Sequence, residues 1–225
     1  MKFRHLSIAL LLPLLFACTS QEPTIQTGPD AEIILDRLHR VDNTRVGLAF
    51  VDPEADFGRF SKILLDPLNL DRVEIVQPRR SAANRRATWE LTDQDRENLA
   101  RHYREVFTRE LQETGDYTIV DEPGEDVLRI TASITGIAPN AARDDNRSRG
   151  IGRTRVYTEG AGSMAISFAF SDSQNNDILG IVKDSRSGSP MWGSNNRVSN
   201  MGDVRFMFAQ WARMIRARLD IVHGY

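Results

Sequence analysis

Two stretches of this chain alternate apolar and polar residues with period two, and they limit its fold more than any other feature. Within residues 127–137, Leu128, Ile130, Ala132 and Ile134 alternate with Arg129, Thr131, Ser133 and Thr135. Within 163–171, Met164, Ile166, Phe168 and Phe170 alternate with Ser163, Ala165, Ser167 and Ala169. Successive side chains of a strand leave on opposite faces, so each stretch predicts a strand with one buried and one open face. Strands that stay polar on one face belong to antiparallel sheets rather than to parallel sheets covered on both sides. A turn at Asn175, Asn176 and Asp177 leads into 178–183 and closes a hairpin with the second stretch.

Helical spacing appears twice. Thr92 offers an N-cap followed by acidic Asp93 and Asp95, and Gly115 ends the segment. Between them Leu99, Tyr103, Val106, Phe107 and Leu111 fall on one face. A last helix over 203–221 carries Val204, Phe208, Trp211, Ile215, Leu219 and Val222 at helical spacing. Shorter apolar runs at 61–66 (ended by Pro67), 73–76 and 117–120 predict strands, and Pro123-Gly124 a turn. Ile33, Ile34 and Leu38 suggest a short helix, and 46–51 is a further apolar run. The expected fold is a two-layer α+β domain of order β-α-β-β-β-β-α. It has an antiparallel sheet of about four to five strands, with both amphipathic helices on one face.

Cys18 is the only cysteine of the chain, and it closes an apolar run that follows Lys2 and Arg4. That run, 6–17, is broken only by Ser7 and Pro13 and is too short to span a bilayer as a mature helix. Leu15-Phe16-Ala17-Cys18 resembles the lipobox of bacterial lipoproteins, with Phe16 where a smaller residue is usual. The resemblance implies acylation of Cys18 and cleavage before it, and two or more acyl chains hold a protein firmly on a membrane. Thr19, in place of Asp, implies the outer membrane facing the periplasm. The chain is thus expected to divide into a signal peptide at 1–17, a lipidated N-terminus and tether at 18–45, and a single α+β domain at 46–225. With its one thiol lipidated, the fold rests on packing without a disulfide.

The charge balance, 29 basic against 31 acidic side chains, is not that of a nucleic-acid-binding protein. His39, His102 and His223 lack metal-ligand spacing, so no metal is expected. The glycines at 160 and 162 lead into a strand rather than from a strand into a helix, which excludes a dinucleotide fingerprint; no cofactor is expected. A calcium-loop reading of 172–183 fails because Lys183 stands where a bidentate glutamate is needed.

Three features point to binding. Arg79, Arg80, Arg85 and Arg86 form one basic cluster, and Arg143, Arg147, Arg149, Arg153 and Arg155 a second. If they emerge close together they offer a cationic rim to an anionic ligand; the alternative is a pair of solvated loops. Trp192, after Gly188-Ser189-Pro190, is a candidate partner contact, or it closes the edge of the core. The long segment 140–159, above the usual loop length and so functional or disordered, is the third. The small-residue sheet face (Ser163, Ala165, Ser167 and Ala169 with Thr131 and Ser133) could besides accept a flat ligand or a second subunit, against plain hydration.

Phe57-Gly58-Arg59-Phe60-Ser61-Lys62-Ile63-Leu64-Leu65-Asp66-Pro67 resembles the opening motif of a Gram-negative lipoprotein family, domain of unknown function 3313. Pro123-Gly124 with Val127-Leu128, Asp172-Ser173 with Ile178-Leu179, and Phe208-Ala209-Gln210-Trp211-Ala212 continue the match in order over roughly residues 45–222. Phe60 stands where tyrosine is commoner, and Asn175-Asn176-Asp177 replaces a Thr-Gly-Glu turn. The resemblance lends no activity. The expected function is that of a non-enzymatic, outer-membrane-anchored lipoprotein that binds an envelope protein, lipid or glycan and no nucleic acid. The alternative is a hydrolase of envelope polymers acting through unrecognised carboxylates. Abundant carboxylates such as Asp52, Glu54 and Asp56 could form acid–base pairs in principle, against plain solvated faces.

Overall fold

Among the described residues, ten of twelve strands join one mixed sheet, and two helices cover the middle of one face. The computed structural model describes residues 21–77, 88–112, 117–140, 157–159, 162–188, 192–194 and 197–225. In chain order the strands are β1 (Thr24–Ile25), β2 (Ile33–Ile34), β3 (Leu38–Asp42), β4 (Leu48–Val51), β5 (Lys62–Leu65) and β6 (Glu74–Ile75), followed by α1 (Asp93–Gln112). Then come β7 (Thr118–Val120), β8 (Val127–Pro139), β9 (Tyr157–Glu159), β10 (Gly162–Asp172), β11 (Ile178–Ser187), β12 (Trp192–Ser194) and α2 (Arg197–His223). The sheet runs β1-β3-β4-β11-β10-β8-β5-β7, with β2 also on β3 and β6 also on β8; β9 and β12 make a separate ribbon.

The alternating stretches are its two longest strands. In the β8–β10 register Phe170 faces Ile130, Phe168 faces Ala132 and Ile166 faces Ile134, so their apolar sides coincide. The register shifts between Ala165 and Ile166, across from Thr135, and that bulge turns Ile137 to the apolar side opposite Met164. β11 continues the antiparallel set, with Val182 opposite Phe168.

Thr92 and Asp95 cap α1 reciprocally. The Asp95 N–H donates to the Thr92 hydroxyl at 3.2 Å, and the Thr92 N–H donates to the Asp95 carboxylate at 3.1 Å. Leu99, Tyr103, Val106, Phe107 and Leu111 of α1 meet Phe208, Trp211, Ala212 and Ile215 of α2 above Leu128, Ile130, Phe168 and Phe170. Phe107 joins the layers, its ring centroid 5.8 Å from Phe168 and 6.3 Å from Phe208.

The structure corrects the expected fold class, since the sheet is neither antiparallel throughout nor limited to four or five strands. β5 is parallel to β7 on one side and to β8 on the other, and β6 is parallel to β8. A chain that leaves β5, crosses through α1 and returns beside β5 must point the same way when it returns. The order is corrected as well, because six strands precede α1. Part of the stretch expected as a tether carries strands: β1 and β2 both pair with β3 between residues 24 and 42. The short helix expected at 33–38 is a tight turn instead, with positive φ at Leu35 and Asp36. α2 begins six residues before the expected 203, running through Gly202.

Candidate functional site

The eight arginines proposed for an anionic ligand, Arg79, Arg80, Arg85, Arg86, Arg147, Arg149, Arg153 and Arg155, lie outside the described residues, as does Cys18. The described residues that flank the two arginine-bearing stretches are neighbours. The Val76 N–H donates to the Ile137 carbonyl at 2.9 Å, three residues before Asn140. The Gln77 side chain clasps Trp89, accepting from its N–H at 2.8 Å and donating to its carbonyl at 2.9 Å. Both stretches therefore start from the end of the sheet where Pro139 pairs with Gly162. Trp192 belongs to a strand rather than to a connection; its backbone pairs with Glu159.

At the opposite end of the sheet the turn motifs converge. Arg59 pairs with the buried carboxylate of Asp172 and lies over the Phe60 ring, 4.5 Å from its centroid. Asp172 also accepts from the Gln174 N–H at 2.8 Å, which shapes the β10–β11 turn. The buried Ser173 hydroxyl donates to the Gly124 carbonyl and accepts from the Gly124 N–H, both at 3.0 Å, tying that turn to the one before β8. Beside them is an open depression of about 400 Å³ lined by Lys62, Val120, Asp121, Glu122, Pro123, Gly124, Asp126 and Val127. The hydrogen bonds from Ser61 and Lys62 hold the Asp126 carboxyl below its ordinary value. Three carboxylates around one lysine give this hollow a negative lining and no enclosed cleft.

Sequence reasoning missed the polar groups buried between the helices and under α2. Glu110 of α1 is 3% exposed, and Arg213 donates to both of its oxygens at 2.9 Å while Arg109 adds 3.2 Å. Burial alone would raise its pKa, but the Arg213 and Arg109 hydrogen bonds more than offset that and hold it below the ordinary value. About two turns closer to the N-terminus of α1, His102 is 2% exposed and its Nδ1 accepts from Arg205 Nε at 3.1 Å. Glu105 Oε2 lies 3.3 Å from the same nitrogen; Arg205 can donate to the neutral ring, whereas the carboxylate can accept from Nδ1 only when that nitrogen is protonated. Burial depresses the His102 pKa, opposed by Glu105 and reinforced by the charges of Arg205 and Arg101. Asp184 on β11 accepts from the Trp211 indole and from Arg186, each at 2.9 Å, and Arg186 reaches Gln210 at 2.8 Å.

These groups hold elements together. Trp211 and Gln210, two of the motif residues in α2, fasten that helix to β11, and the Glu110 pair fastens α2 to α1. The available signal was a charged or polar residue at a helix position otherwise reserved for the core, as at His102 and Glu110. Carboxylates with resolved shifts, Glu105, Glu110 and Asp126, all move downward, the direction of an ion-pair partner rather than of a general acid. Among the described residues no group of three or more His, Cys, Asp or Glu side chains is arranged to hold a metal. No described helix is long and apolar enough to cross a membrane.

A family model described as "Protein of unknown function (DUF3313)" matches residues 34–215, well over half of the sequence. The chain belongs to this family. The motif residues of this DUF3313 member are thus the two turns and the α2 fastening just described. No curated protein matches it. Among solved structures it is similar to protein CT253 from Chlamydia trachomatis, with 14% identity, 74% of this chain and 99% of that one covered, and a TM-score of 0.40. A PelC dodecamer from Paraburkholderia phytofirmans shares 10% identity over 69% of this chain and 88% of that one, with a TM-score of 0.36. A protein provisionally called a lipoprotein from Caulobacter crescentus shares 13% over 68% and 92%, with a TM-score of 0.32. Likeness at this level says nothing of activity.

Proposed function

We propose that this DUF3313 protein is a lipoprotein of the outer membrane, acylated on Cys18, facing the periplasm and binding an envelope protein, lipid or glycan without catalysing a reaction. The observation that carries the reading is the single cysteine at the end of a charged-then-apolar leader. The position of β1 supports it. Thr24 lies six residues on from Cys18, a reach of at most about 20 Å, so an anchor at Cys18 keeps the sheet edge close to the bilayer. The neighbouring mouths of the two arginine-bearing stretches support an anionic ligand at the end of the sheet where Pro139 meets Gly162.

Intact-mass analysis of the native protein is expected to show acyl mass on Cys18, and Cys18→Ser to release the protein from membranes. Fractionation with membranes unchanged by that substitution, together with no acyl mass, overturns the anchor. Crosslinking of the intact protein in cells is expected to capture an envelope component. Recovery of none, alongside reproducible turnover of envelope polymers by the purified domain, favours the hydrolase.

A further inference from the structure

Eight large apolar side chains are exposed among the described residues, and three of them, Ile25, Ile33 and Leu35, fall within eleven residues at the N-terminal edge of the sheet. Their relative exposures are 40%, 44% and 59%. Ile25 pairs with Val41 and Ile33 with His39, two positions apart on β3, so both isoleucines stand on one face of this edge. Leu35 forms the turn between β2 and β3 with φ +50°, a conformation that suits asparagine or glycine and costs a leucine steric strain. A leucine so exposed gains little from the fold in return, which leaves its outward side chain without an internal explanation.

Charge tells what kind of surface this edge fits. Arg40 is bonded to Glu32 at 2.7 Å and lies 3.9 Å from Asp42, while Arg37 lies 3.7 Å from Asp52 and 3.9 Å from Asp177. The arginines of the hairpin are answered by its own acids or by those of the neighbouring turns. The edge therefore offers apolar contact rather than a basic field for anionic headgroups. Chain length supplies the occupant. The β2–β3 turn lies four β3 residues from the level of Thr24, about 14 Å, which is less than the reach of the segment back to Cys18. A bilayer holding the N-terminus can therefore meet the turn as well.

We propose that the β1–β3 edge rests on the membrane that holds the N-terminus, with Leu35, Ile33 and Ile25 entering the lipid. This rests on acylation of Cys18, and it fixes which edge of the domain faces the bilayer. β7, at the other margin of the sheet, then stands about 34 Å away across seven strand spacings.

The test uses the full-length acylated protein carrying Leu35→Cys, whose new cysteine is the one free thiol once Cys18 is lipidated. An environment-sensitive fluorophore there is compared with one at Thr118→Cys on β7, in phosphatidylcholine vesicles with brominated acyl chains. The label at 35 is expected to lose most of its emission to bromolipid and to be shielded from aqueous iodide, at low and high salt alike. The label at 118 is expected to keep its emission and to be quenched by iodide. Ile33→Cys serves as a second reporter should the turn variant melt earlier than the parent. Equal iodide quenching at 35 and 118 on vesicles overturns the proposal. Shielding at 35 that develops without vesicles as protein concentration rises also overturns it, and assigns the edge to a second copy. The same two labels on a form with Cys18→Ser and an N-terminal hexahistidine, held on nickel-chelating lipid, separate this inference from the anchor. Absent acyl mass defeats the anchor, while an unshielded label at 35 on the tethered form defeats the contact.

Discussion

The same sheet is treated in opposite ways at its middle and at its N-terminal edge. Under α1 and α2 it conceals Leu128, Ile130, Ile166 and Phe168 almost completely, and the carboxylates of Glu110 and Asp184 are each held by partners. Along β1–β3 it leaves Ile25, Ile33 and Leu35 uncovered by the rest of the chain, on strands of two to five residues and the turn between β2 and β3. Apolar content is therefore a poor guide to where the structure is strong. The middle is stabilised by burial. The edge is held by a few backbone pairs and surface ion pairs, which contribute little, and it opens at lower free energy.

The contrast can be tested by perturbing each region. Trp211→Ala removes a fully buried ring and the indole donor to Asp184, and it is expected to cost about 4 kcal/mol in urea unfolding. Trp211→Phe is expected to recover more than half of that; if it recovers nothing, the indole hydrogen bond rather than packing dominates. Gly162→Ala comes next. Its φ of +134° and a Cβ that would stand 2.8 Å from Pro139 Cα predict a loss of about 2–3 kcal/mol, measured the same way. Glu110→Gln weakens the clamp from Arg213 and is expected to cost about 1–2 kcal/mol, since the arginine itself keeps access to water.

Acid separates the two regions further. In the unfolded chain His102 titrates near its ordinary value of 6.5, whereas in the folded protein its pKa is lower. The unfolded state thus takes up the proton first, and stability falls as the pH drops below about 6.5. Glu105 and Glu110, held below their ordinary value of 4.5, add a separate loss below about pH 4.5. His102→Gln is expected to flatten the first decline and leave the second, in melts taken from pH 7.5 to 4. The smallest effect is expected at the edge and with the opposite sign. Leu35→Asn suits the positive φ and is expected to leave the melt unchanged or to stabilise by up to about 1 kcal/mol. A clear destabilisation there would mean that Leu35 packs into the fold, and the contrast would fail.

The parts legible in the sequence were those set by local periodicity. The apolar sides of β8 and β10, the Thr92 cap and the 175–177 turn each follow from residues within a few positions of one another. The parallel neighbours of β5 were hidden because that pairing depends on where α1 delivers the chain, which no strand of three or four residues records. β1 and β2 escaped because strands of two residues have no alternation to read, and Ile33, Ile34 and Leu38 fit helical spacing equally well. For the site, the turn motifs were visible as residues but not as a cluster, since Gly124 and Ser173 meet only through the sheet. The burial of His102 was not legible, because spacing alone does not show that α2 covers its side of α1.

Gln77 and Trp89 have a consequence for how such proteins vary. Their reciprocal bonds fix the mouth of the intervening stretch from below, so the strands and helix on either side do not depend on what that stretch contains. Lengthening a closed loop adds only slowly to its entropic cost, about 0.6 kcal/mol per doubling. The span between the two residues can therefore change in length at small cost while the scaffold on either side stays the same.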